Sequence, residues 1–249
     1  MTARRFLLPA LALAVALASA LAVLPARWLL RLLPATWPVA MVDASGTVWR
    51  GSARVALGPP GGRRTLPDAV AWRWHWLDGT GVAAQLSHPW LAGNLEVAPR
   101  LGRVRLGRGG LTLPATALTA IGAPFNTLEP GGELALSWPA LELGGTLPAG
   151  PLLQLTWSRA SSARVPVQPL GDYRASLDAD GKGTLNLQVR TLSGALRIEG
   201  HGQGAGRRWR FEGSAQPAPD ADPAVRDALT PLLGTLGAYR GGVSRLQFP

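Results

Sequence analysis

Tyr173-Arg-Ala-Ser-Leu-Asp-Ala-Asp-Gly-Lys-Gly-Thr-Leu-Asn-Leu-Gln-Val-Arg190 decides the fold of this chain. Leu185, Leu187 and Val189 interleave with Thr184, Asn186, Gln188 and Arg190. That period of two is a half-buried strand with one apolar and one polar face. Upstream, the segment around Tyr173 to Leu177 is joined to it by Asp-Ala-Asp-Gly-Lys-Gly, in which Asp180-Gly181 supplies the positive φ of a hairpin turn. Antiparallel sheets accept such two-faced strands, whereas parallel sheets covered on both sides do not.

The same alternation recurs outward from this hairpin. Leu134, Leu136 and Trp138 form one apolar row, and Leu153, Leu155 and Trp157 another, followed by Leu196 with Ile198 and Trp209 with Phe211. Turn chemistry separates them at residues 107–110, Gly131-Gly132, Gly144-Gly145, Ser193-Gly194 and residues 200–206. The fold expected is mainly β: a large curved antiparallel meander sheet, open or partly closed into a half-barrel. Two short helices interrupt it. Leu113-Pro114 opens one carrying Ala115, Leu118 and Ile121, closed by Gly122 and Pro124. Asp222-Pro223 caps the other, which has Val225, Leu229, Leu232, Leu233 and Leu236 at helical spacing, and Pro231 is placed to kink or shorten it. Residues 241–249 are read as loose chain or a short strand.

The N-terminus has a different character. Arg4-Arg5 precedes an uncharged run over residues 6–26, and charge returns at Arg27 and Arg31. As a helix rising about 1.5 Å per residue, the run reaches roughly 31 Å, the thickness of a hydrocarbon core. Arginines ahead of it favour a cytoplasmic start. The organisation expected is a stub and transmembrane helix over residues 1–31, crossing the membrane once, then an exported β-rich domain over residues 32–249. A cleaved signal peptide is the competing reading, since Ala18-Ser19-Ala20 and Ala20-Leu21-Ala22 fit the small-x-small cleavage pattern. Both readings export the bulk of the chain.

Composition excludes several function classes. With no cysteine in 249 residues, disulfides and thiolate metal sites are absent. The net charge of +10 does not point to nucleic acid: Lys182 is the one lysine among 25 basic residues, and the arginines are dispersed rather than blocked. Abundant Ala, Gly, Pro and Arg with almost no Lys instead match the coding bias of a GC-rich bacterial genome.

Motifs for catalysis are missing. His75, His88 and His201 are the three histidines, and only His75 has an acidic residue, Asp78, at metal-ligand spacing. Neither a G-x-S-x-G elbow nor an H-E-x-x-H helix is present. Gly200, Gly202, Gly204 and Gly206 lead into a strand, not a helix, so a hairpin turn explains them better than a phosphate loop. Gly181-Lys182-Gly183-Thr184 lacks the upstream glycine of a P-loop. No catalytic residue, metal ligand or cofactor is assigned, and no enzyme is expected.

Tryptophan is the unusual side chain, with ten copies. Trp72, Trp74 and Trp76 fall on one face of a single strand with Val70, while Arg73 and His75 face the other way. They form either a core row on a large sheet or an aromatic-lined surface for an apolar ligand or a partner strand.

Val42-Asp-Ala-Ser-Gly-Thr-Val-Trp-Arg-Gly51 is a strand–turn–strand element that resembles the type II secretion system protein N family, also called the general secretion pathway N protein. Ala123-Pro-Phe-Asn-Thr-Leu-Glu-Pro-Gly-Gly132, Gly171-Asp-Tyr-Arg174, Leu192-Ser-Gly194 and Phe211-Glu-Gly213 agree with the pattern, so the resemblance spans about residues 24–237. It implies an inner-membrane-anchored periplasmic component of the Gram-negative apparatus that exports folded proteins across the outer membrane. The partners implied are the inner-membrane platform and the secretin channel; no catalytic residue is implied. A one-sided curved sheet also resembles, in outline, lipid-binding or lipid-transfer proteins of the AsmA-like envelope class, which is the alternative reading.

Overall fold

The computed structural model describes residues 3–32, 36–37, 39–59, 61–77, 81–121, 125–206 and 208–248. The chain divides into two compact units, Met1–His88 and Pro89–Pro249. Its strands form open antiparallel sheets.

The first unit begins with helix α1 (Ala3–Ala22) and a 3-10 helix (Ala26–Leu32), followed by β1 (Val39–Gly46), β2 (Arg50–Leu57), β3 (Arg64–Leu77) and β4 (Gly81–Ser87). These strands are neighbours in sequence order. Along α1, Leu11, Leu13, Leu17 and Leu21 are all exposed, so the described part of the helix packs into no core. Among the described residues no helix is long and apolar enough to cross a membrane. This departs from the crossing expected over residues 6–26. The helix stops at Ala22, because the chain beyond it is captured by the sheet: Pro25 forms a bridge with Thr47, and the Val48 N–H donates to the Leu24 carbonyl (2.8 Å). Ala26, Ala53 and Trp72 make the small buried core of this unit, flanked by Leu29, Met41 and Leu86.

The second unit contains β5 (Leu95–Arg100), β6 (Arg103–Leu106), β7 (Gly109–Pro114), a 3-10 helix (Ala115–Ile121), α2 (Phe125–Leu128), β8 (Pro130–Trp138), β9 (Leu141–Leu143), β10 (Gly150–Ser162), β11 (Gly171–Ala179), β12 (Thr184–Ser193), β13 (Leu196–Ala205), β14 (Arg208–Pro217), α3 (Pro223–Leu236), β15 (Ala238–Arg240) and β16 (Val243–Phe248). Nine of these strands make one sheet in the order β15-β16-β14-β13-β12-β11-β10-β8-β7. The single meander or half-barrel expected is therefore corrected. β9 leaves the run and pairs with β6, so β10 returns beside β8. Gly144, at φ +101, permits this exit, since a Cβ there would lie 3.2 Å from the Arg103 Cα.

A second correction concerns residues 200–206. Gly200, Gly202 and Gly204 lie inside β13, not in a turn, and stand opposite Gly213, Phe211 and Trp209 of β14. A Cβ would lie 2.5 Å from the Phe211 ring at Gly200 and 2.5 Å from the Trp209 ring at Gly204. The glycines give these aromatic rings a floor to lie across, which restores the apolar cover that a side-chain-free strand lacks.

The early helix expected after Leu113-Pro114 is present as a 3-10 helix over Ala115–Ile121, while Gly122 and Pro124, expected to close it, lie outside the described residues. The late helix forms as the capping residues require, with the Asp222 Oδ1 accepting from the Ala224 N–H (2.8 Å). It continues through Pro231 to Leu236 and is not shortened there. Leu229, Leu232 and Leu233 join Leu196, Ala215 and Leu246 in the main core. Each such leucine contributes roughly 1.5–3 kcal/mol through burial. Val243–Phe248 is a strand, β16, lying between β14 and β15.

Candidate functional site

The Gly46-Thr-Val-Trp-Arg-Gly51 string closes the β1–β2 hairpin and gathers the tryptophans around it. Gly46 has φ +82, and the Thr47 N–H donates to the Arg50 carbonyl (2.9 Å), making a tight loop. The Val48 carbonyl then accepts from two indoles at once, Trp72 Nε1 (3.0 Å) and Trp74 Nε1 (2.9 Å). Trp74 also donates its backbone N–H to the Trp49 carbonyl (2.9 Å), and the Trp49 and Trp74 rings meet edge to face at 6.4 Å. On the far side, Trp49 Nε1 donates to the Leu21 carbonyl (2.7 Å) at the end of α1. That bond satisfies one of the carbonyls a helix end leaves without an internal partner. Gly51 is opposite Trp72, where a Cβ would sit 2.7 Å from the ring, so the small residue is what lets the indole reach the loop.

The row Trp72, Trp74 and Trp76 thus does three different things. Trp72 is core, at 6% exposure; Trp74 is half-buried and clamps the loop; Trp76, two residues on, is 81% exposed. Sequence periodicity put them on one face but did not reveal that the first two spend their N–H groups on one carbonyl. Trp49, inside the family-like string, was the signal for this hub.

A second node gathers the other motifs in the larger unit. Arg159 sits at a bulge in β10 with φ +48, a conformation that costs a non-glycine residue about 1 kcal/mol. Its N–H donates to the Asp172 Oδ1 (2.7 Å), while the Ser193 hydroxyl donates to the Asp172 Oδ2 (2.8 Å). These two bonds hold the Asp172 carboxyl below its usual pKa. The neighbouring Tyr173 is buried, donates its hydroxyl to the Leu196 carbonyl (2.9 Å), and is pushed well above an ordinary tyrosine pKa by desolvation and by Asp172. Its ring packs against Trp157 at 5.9 Å, and Trp157 Nε1 donates to the Gly131 carbonyl (2.9 Å). Gly131-Gly132, expected as a turn, lies instead inside β8 opposite the β10 bulge, so Gly171-Asp-Tyr-Arg174, Leu192-Ser-Gly194 and Gly131-Gly132 are parts of one corner.

A family model described as type II secretion system (T2SS), protein N matches residues 38–240. The chain belongs to that family. No curated protein matches it, and no solved structure matches it. The T2SS protein N match covers the strands of both units from β1 to β15, including each string discussed above.

In this T2SS protein N chain, the histidines and the acidic groups among the described residues form no metal-binding cluster. His75 lies on β3, and Asp78, its expected neighbour, lies outside the described residues. His201 is exposed on the polar face of β13, between Gln188 and Glu212 in the register. Asp180 caps its own turn, accepting from the Lys182 and Thr184 N–H groups, which hold its pKa down. Among the described residues, no group of His, Asp and Glu is placed to hold a metal ion.

The strand edges are blunted. β1 is bulged at Asp43 (φ +52), β9 and β15 have three residues each, and the outer side of β7 is bridged by Leu91. Exposed apolar side chains are more prominent. On the β5-β6-β9 ribbon, Leu101 at the hairpin apex is fully exposed, and Val104 and Leu143, also exposed, stand directly opposite each other.

Proposed function

We propose that this T2SS protein N family member is a non-catalytic, inner-membrane-anchored periplasmic component of the type II secretion system that supports export of folded proteins across the outer membrane. The observation that carries the proposal is the family match over residues 38–240. Membership implies association with other components of that system. The partners we assign are the inner-membrane platform and the secretin. Attachment is through α1, whose exposed leucines from residue 11 onward a lipid bilayer would cover. Anchoring raises the local concentration of the β-rich units at the membrane. With the strand edges blunted, the contact surface for a partner is the apolar tip of Leu101, Val104 and Leu143, rimmed by Arg100, Arg103 and Arg105.

Cysteine is absent from the chain, so a photo-crosslinker attached to Leu101→Cys labels one position only. The expected result is a crosslinked adduct with a platform or secretin component in cells, together with loss of substrate secretion in a deletion strain. Normal secretion in that strain and no adduct with any secretion component would sink the proposal.

A further inference from the structure

We propose that the end of the first unit where α1 stops, bearing Trp28, Trp49 and Trp76, is a platform that seats in the headgroup layer of an anionic bilayer leaflet. This rests on the reading that α1 attaches the chain to the membrane.

The register places these side chains together. β2 begins at Arg50, paired with Arg73, so the segment from Trp74 to Leu77 runs past the end of β2 toward the Thr47–Trp49 loop. The Trp74–Trp49 backbone bond and the Trp49–Leu21 indole bond tie that segment to the end of α1. Trp49 is therefore fixed at the level where the helix ends, and Trp76 lies about 7 Å along β3 from Trp74, at two residues of strand rise. Trp28 follows Pro25, which bridges the same loop, and donates its N–H to the Pro25 carbonyl (3.1 Å). Trp28, Trp49 and Trp76 are 51%, 39% and 81% exposed. Indoles with an apolar body and a polar N–H concentrate at the boundary between hydrocarbon and water.

Charge points to the same occupant. Arg50 and Arg73 stand directly opposite each other on adjacent strands, both exposed, and Arg27 is exposed beside Trp28. Arg50 and Arg73 share the face of the sheet opposite Trp74 and Trp76, and Arg73 Nη2 also donates to the Gln85 Oε1 on β4 (3.3 Å), so the cations and the indoles flank the same sheet end from its two sides. Like charges paired across strands are destabilising, and an anion beside them offsets that cost. Among the described acidic residues of this unit, Asp43 is held by Arg54 (3.4 Å), and Asp68 lies on the other half of β3. Phosphodiester headgroups supply both the anion for the arginines and the interfacial layer for the indoles.

The test uses the full chain in nanodiscs of phosphatidylethanolamine and phosphatidylglycerol. Nitroxide labels are placed singly at Trp76→Cys and at Val39→Cys, the latter at the opposite end of β1 from the loop. At 76, the ratio of oxygen to nickel-chelate accessibility is expected to exceed that at 39 severalfold. Replacing Arg27, Arg50 and Arg73 by Gln should reduce that difference. A label at 76 as open to the nickel chelate as the one at 39, with the chain still in the disc, overturns the platform and leaves the tether standing. Exclusion of both oxygen and the nickel chelate from 76 also overturns it, because protein and not lipid then covers the surface. A chain that leaves the disc, and is released from cell membranes by carbonate, removes the tether and the platform together.

Discussion

The two units solve one problem by different means. Each has antiparallel strands with one apolar face, and a sheet cannot leave such a face in water. The larger unit covers part of it with aliphatic volume: α3 lays Leu229, Leu232 and Leu233 against Leu196, Ala215 and Leu246. The smaller unit has a core of Ala26, Ala53 and Trp72, and depends on indoles whose N–H groups must find the Val48 carbonyl. Aliphatic packing is tolerant, because neighbours shift to fill space. Indole packing on a loop is directional and ties the sheet to the end of α1. The difference suits the proposed roles: a rigid attachment in the smaller unit and a broad scaffold in the larger.

The largest expected effect breaks the smaller side of this contrast. Trp72→Ala removes the one large buried side chain of that core and two approaches to the loop, at 3.0 Å and 3.3 Å. A loss of about 4 kcal/mol is expected. Hydrogen exchange resolved by strand should accelerate in β1 to β4 and leave β11 to β14 unchanged; uniform acceleration across both units would show that they are not separately stabilised. Leu233→Ala is the counterpart in the larger unit, where the side chain is fully buried. About 3 kcal/mol should be lost, with exchange rising in β14, β16 and α3. An unchanged unfolding midpoint would mean that α3 does not hold the sheet.

Much of this was legible, and the boundary of legibility is physical. Period two identified β8, β10, β12 and β14, because alternation reports one-sided burial directly. Asp222-Pro223 located α3, because a cap and a first-turn proline are local chemistry. The glycines at 200, 202 and 204 misled, since glycine in a turn and glycine under an aromatic ring are the same letter. Only the cross-strand partner, Phe211 or Trp209, separates the two. β9 was hidden for a related reason: three residues hold too little pattern to choose between β6 and β8. The tryptophan row was seen as a unit but split by tertiary contact into buried, clamping and exposed members. The Asp172–Ser193 pair follows from the register of the β11–β12 hairpin, whereas the Arg159 bulge and the Trp157–Gly131 bond that complete the corner come from β10 and β8, whose place beside it neither string states.

Smaller changes sharpen the comparison at that corner. Tyr173→Phe keeps the ring against Trp157 but leaves the buried Leu196 carbonyl without its hydroxyl donor. About 1 kcal/mol of stability should be lost, the usual net worth of such a bond, measured as a fall in denaturant midpoint with an unchanged slope. A midpoint within error of the parent would mean that water replaces the hydroxyl, and that the corner is more open than its packing indicates.

The smallest effect is a dependence on acid. Asp172 has its folded pKa depressed by the Arg159 N–H and the Ser193 hydroxyl. A group lowered in this way contributes stability that is fully present above its unfolded pKa, about 3.9, and is lost as pH falls through the folded value. The parent protein should therefore lose stability below about pH 4, with exchange rising first at the β10 bulge around Arg159. Asp172→Asn cannot titrate, so the gap between parent and variant should narrow steadily as the pH is lowered through that range. Asp180, depressed by its own turn N–H groups, titrates in the same direction and stays in both proteins, so it cancels from the difference. A gap that is constant with pH would show that the carboxylate charge at 172 does nothing for the bulge. The strained backbone at Arg159 would then be held by the Trp157, Tyr173 and Gly131 packing alone, as the smaller unit is held by its indoles.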